Sequence, residues 1–67
     1  MPNPKDVYIL IEEIELEVEK GFSLGIYQKA LIKVVKHYAD NGKRLTDPLW
    51  ESLVELYLES EGRTITQ

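Results

Sequence analysis

Cysteine is absent from this 67-residue chain, which removes disulfides and thiolate zinc sites as sources of stability. Histidine occurs once, as His37, too few for a transition-metal site built from imidazoles. No metal or cofactor is expected. Long apolar runs are missing too. The longest, Val7 to Ile11, has five residues, whereas a membrane span needs about 20 and a signal-peptide core about 7–15. The expectation is a soluble, cytoplasmic chain with no membrane partner. A net positive charge is also missing: eight Lys and Arg stand against twelve Asp and Glu, and the net charge of −4 argues against a general affinity for nucleic acid or anionic bilayers. Gly21 and Gly25 match no phosphate-binding loop, and their spacing reads as helix punctuation.

A chain this short has room for one domain with a small core. Regular helix packing or self-association must then supply the stability that cross-links cannot.

What the sequence does contain is helix. Asn3-Pro4 opens the first one, with Asn as cap, Pro at the first helical position and Asp6 at the positive end of the dipole. Val7, Leu10, Ile11, Ile14 and Val18 form one stripe, and Gly21 closes the helix in left-handed geometry. Between Ile14 and Glu19 the residues also alternate apolar and acidic, a pattern that fits a strand. The cap and the longer stripe favour helix. In the second helix Ser23 is the expected cap, Phe22 and Tyr27 a hydrophobic staple. Leu24, Tyr27, Leu31, Val34, Val35 and Tyr38 are its expected buried face, and Asp40-Asn41-Gly42 its end. Thr46 or Asp47 caps the third helix, and Leu45 and Trp50 can staple it. Leu49, Trp50, Leu53, Val54, Leu56 and Tyr57 point inward, and Gly62 ends it. The expectation is an all-α fold, a small antiparallel up-down-up three-helix bundle. Its helices run at about 4–20, 24–40 and 48–61, with residues 62–67 a frayed tail.

The charges sort by helix. Residues 1–22 sum to −4, residues 23–44 to +4 and residues 45–67 to −4. Lys29, Lys33 and Lys36 lie opposite the expected apolar face of the second helix, while Glu51, Glu55 and Glu59 make a row on the third. The topology is expected to gather Glu15, Glu17, Glu19, Glu59 and Glu61 at one end and Lys5, Lys36, His37, Lys43 and Arg44 at the other. Acidic residues at helix C-termini oppose the dipole.

Catalytic signals are weak. The carboxylates read as solvated, and His37 with Asp40 makes only a lone His-x-x-Asp, not the paired Glu-x-x-His set of a bundle di-metal site. His37 has no Ser or Cys motif to activate, so its expected place is a helix terminus. A helix-turn-helix reading fails because the would-be recognition helix presents Glu51, Glu55 and Glu59 to phosphate.

The informative feature is surplus apolar surface. Ile9 and Leu16 lie off the core stripe of the first helix, although Phe22 beyond the Gly21 terminator could cover Leu16. Tyr8, Ile26, Ala30, Ile32 and Leu58 flank their core faces. Such wide faces point to an interface. The sequence therefore reads as a non-enzymatic protein-interaction module: an adaptor, a regulatory subunit or a small inhibitor, forming a homodimer or docking a protein partner. Its candidate interface residues are Ile9, Leu16, Lys29, Lys33, Lys36, Lys43, Arg44, Glu51, Glu55 and Glu59. The alternative is a nucleic-acid accessory protein acting through the basic middle helix.

Overall fold

Asn3 caps the first helix from both sides. Its Oδ1 accepts from the Asp6 amide at 3.1 Å, and Asp6 Oδ2 accepts from the Asn3 amide at 3.3 Å. This reciprocal pair satisfies donors that a helix start otherwise leaves bare. The computed structural model describes residues 3–62 and consists of three helices: α1 (Pro4–Glu19), α2 (Ile26–Asp40) and α3 (Asp47–Ser60). The residues between Ile14 and Glu19 are helical, and no strand occurs among the described residues. The expected frayed tail lies, beyond Gly62, outside the described residues.

Two glycine terminators turn the chain. After α1, Gly21 adopts φ 122, its amide donates to Val18 O and the Phe22 amide reaches Glu17 O, both at 3.0 Å. After α2, Gly42 adopts φ 68, and the amides of Gly42 and Lys43 donate to Ala39 O and Tyr38 O. These are paired 5→2 and 6→1 bonds that close the last carbonyls of each helix. The turns send each helix back along the previous one, and all three pairs pack in an up-down-up bundle.

The core is a single aliphatic cluster. α1 contributes Val7, Ile11 and Ile14; α2 contributes Ile32, Val35 and Ala39; α3 contributes Leu53 and Leu56. Leu45, in the connection before α3, is fully buried as well. Thr46 is the cap position of α3, in extended geometry and with no side-chain hydrogen bond. Ser60 is the one buried polar residue among those described, and its Oγ donates to Tyr57 O at 2.7 Å.

The second helix departs from expectation in three ways. It begins at Ile26, not Leu24, and its cap is Gly25, not Ser23. Glycine has no side chain to cap with, so the bond comes from the other direction: Gln28 Oε1 accepts from the Gly25 amide at 2.9 Å. The Phe22–Tyr27 staple does not form, because Phe22 packs on the core while Tyr27 stands 87% exposed. Third, the buried face is rotated. Val35 is fully buried and Val34 is 43% exposed.

Candidate interaction surface

α2 carries two apolar stripes. Ile32, Val35 and Ala39 recur at i, i+3 and i+7; Tyr27, Leu31, Val34 and Tyr38 recur at i, i+4, i+7 and i+11. A helix wedged between two neighbours buries the arc that bisects them. Here that arc holds the wholly hydrocarbon stripe, while the stripe with two phenols lies toward the rim, where hydroxyls reach water. Leu31 and Tyr38 remain half-buried against the core. Ile26 is 89% exposed and Tyr27 87%, with Val34 further along the same side. Ala30, between them, is exposed too.

These residues flank a shallow groove between α2 and α3. It is lined by Tyr27, Ala30, Leu31 and Val34 on one side and Leu49 and Ser52 on the other. One end of the same seam is closed by a polar contact, Gln28 Nε2 donating to Glu59 Oε1 at 3.3 Å. That bond joins Gln28 and Glu59 at one level of the antiparallel α2/α3 pair.

Charged residues border the apolar strip on both sides. Glu51, Glu55 and Glu59 are all exposed on α3, and Glu55 and Glu59 reach the groove's continuation beside Tyr27 and Gln28. Lys33 is exposed on the α2 edge that faces away from α3, while Lys29, one turn earlier, lines the α1/α2 groove with Glu15, Val18 and Glu19. At about 3.6 residues per turn, Ala30 points straight out of α2, with Val34 turned toward α3 and Lys33 toward the opposite margin. Across one face of the molecule the order is thus acidic, apolar, basic.

The remaining candidate residues lie elsewhere. Ile9 and Leu16, 50% and 49% exposed, sit on the outer side of α1, away from the groove. They are two turns apart with Glu12 and Glu13 between, so they do not merge into one patch. The packing of Phe22 on the core leaves Leu16 half-exposed. Lys36 is not on the open face of α2 or at a basic end. With the helix rotated it lies at the α1 seam, where Nζ meets Glu15 Oε2 at 3.1 Å. The expected separation into an acidic and a basic end is therefore broken by a pair that joins the two sets. Lys43 and Arg44 are exposed in the connection before α3.

A second contact spans α1 and α2. The Tyr8 hydroxyl donates to Asp40 Oδ1. This hydrogen bond, with desolvation and the carboxylate's charge acting the same way, holds the phenol's pKa above its ordinary 10.0.

Spacing alone places Tyr27 and Val34 in the core, since they fall on one stripe with Leu31 and Tyr38. The signal for the other solution is the width of the arc: a helix apolar at 26, 27, 30, 31, 32, 34, 35 and 38 has more apolar surface than two neighbours can cover. Among the described residues no cluster of three or more His, Asp or Glu side chains is placed to hold a metal. No described helix is long and apolar enough to cross a membrane. No family model matches the chain, and no curated protein or solved structure is found similar to it.

Proposed function

We propose that this chain is a small non-enzymatic protein-interaction module, an adaptor, regulatory subunit or small inhibitor, that docks through the α2/α3 face. The observation that carries this reading is the line of Ile26, Tyr27, Ala30 and Val34, apolar and turned outward beside a groove. Exposed aromatic and aliphatic side chains set in a line cost solubility unless something covers them. Tyrosine at the centre of such a strip is a favoured anchor, giving large contact area with few torsions to freeze. The charged borders supply a polar rim that selects and orients the partner.

The alternative role at nucleic acid, through the basic middle helix, has less support. Lys36 is engaged by Glu15, and Glu55 and Glu59 border the same face. A backbone contact there would set phosphates against carboxylates.

The reading is tested with immobilised protein and extract of the native host. Wild type is compared with the variant Tyr27→Lys/Val34→Lys, whose circular dichroism must match. Proteins retained by wild type and lost with the variant support docking through this face. Identical retention by both contradicts it.

A further inference from the structure

We propose that the occupant of the α2/α3 face is a second copy of this chain, with the two α2 helices packed parallel about a two-fold axis that runs along them. This rests on the docking role argued above and names the partner. The face carries both halves of a complementary pattern. Its acidic border is Glu55 and Glu59, its centre Tyr27, Ala30 and Val34, and its basic border the exposed Lys33.

Symmetry then selects the orientation. A two-fold axis parallel to the helices exchanges the two borders, laying the acidic row of one chain over the basic border of the other. A two-fold axis perpendicular to the helices within the face lays acidic row on acidic row. Only the first joins unlike charges.

The levels match as well as the borders. Gln28 and Glu59 stand opposite one another through their hydrogen bond. Lys33 is five residues along α2 from Gln28, and Glu55 is four residues back along α3 from Glu59. With a rise of about 1.5 Å per residue, Lys33 and Glu55 are about 7.5 and about 6 Å down the bundle. An axis parallel to the helices preserves level, so Lys33 of each chain meets Glu55 of the other. Ala30 at the midline lets the two α2 backbones approach closely, with Tyr27 and Val34 one turn to either side. Tyr27, Ala30 and Val34 follow the 3-4 spacing of a short parallel seam.

Salt alone reads this poorly. Two chains of net charge −4 repel at long range, which salt relieves, while the border pairs weaken as salt rises. Charge exchange isolates the pairs. The experiment is sedimentation equilibrium on wild type, Lys33→Glu, Glu55→Lys and an equimolar mixture of the two variants, each checked for helicity by circular dichroism. Wild type is expected to dimerise, and each variant alone to weaken the dimer on the order of tenfold, because two symmetric pairs become repulsive. In the mixed dimer the introduced glutamate of one chain faces the introduced lysine of the other. On the second border the unchanged Lys33 and Glu55 still meet, so the mixture is expected to regain wild-type affinity. A mixture no stronger than its components overturns the parallel pairing. Wild type that stays monomeric at the highest attainable concentration overturns the second copy itself, and face-dependent capture from extract would then still stand for a different protein chain.

Discussion

Gln28 and Glu59 are joined across the α2/α3 seam, Nε2 to Oε1 at 3.3 Å, while the same Gln28 side chain caps the Gly25 amide at 2.9 Å. One residue therefore caps the start of α2 and ties it to α3. Gln28→Ala removes both bonds, so the expected loss is about 1 kcal/mol. Urea titration followed by circular dichroism measures it. An unchanged midpoint would mean that neither bond contributes.

The two valines of α2 offer a sharper contrast. Val35 is fully buried and Val34 is 43% exposed, although they are neighbours in sequence. Val35→Ala leaves a cavity and is expected to cost on the order of 2 kcal/mol. Val34→Ala, measured at a concentration where the protein is monomeric, is expected to change stability by less than about 0.5 kcal/mol. The reverse ranking would return α2 to the rotation that simple spacing suggests.

Stability at alkaline pH follows from Tyr8. Its folded pKa lies above the ordinary 10.0 because the neutral phenol donates to Asp40. A group raised in this way stabilises the fold fully below its unfolded pKa and loses that contribution as pH rises through the folded pKa. Wild type is therefore expected to lose stability more steeply than Tyr8→Phe above about pH 10. Thermal melts of the two proteins from neutral to alkaline pH test this, and parallel curves would exclude the contribution.

Gly42 closes α2 at φ 68, and a Cβ built there meets nothing within 4 Å. Any cost of substitution is then a backbone cost. Gly42→Ala is expected to destabilise by about 1–2 kcal/mol, and Gly42→Asn by less, since asparagine tolerates left-handed geometry. Equal effects from the two would point to some source other than backbone strain.

Much of this fold is legible in the sequence. The Asn3 cap, the Gly21 and Gly42 terminators and the Val7–Ile11–Ile14 stripe are local signals, each decided by a few neighbouring residues. The rotation of α2 is not of that kind. Its two stripes lie side by side, with Leu31 and Tyr38 of the second half-buried at the boundary, and only the positions of α1 and α3 decide which one faces the centre. The cap of α2 is hidden for a related reason: Ser23 is the better capping residue, yet Gln28 reaches back to Gly25 and starts the helix two residues later. Among the candidate interface residues, Glu55 and Glu59 line the α2/α3 groove with Lys33 across the apolar strip, and Lys29 lines the α1/α2 groove beside Glu15 and Glu19. Ile9 and Leu16 do not join the α2/α3 face, and Lys36 is taken by Glu15. The apolar centre between the charged borders is the part the sequence conceals.

The central claim is that α2 turns its Tyr27–Ala30–Val34 line outward to dock. Because the chain has no native cysteine, thiol-labelling rates of Val34→Cys and Val35→Cys test it directly. In dilute protein Val34→Cys is expected to label almost as fast as a free thiol, with protection growing as concentration rises, while Val35→Cys stays protected throughout. A Val34→Cys thiol that is protected even in dilute protein, with Val35→Cys labelling freely, would contradict the account.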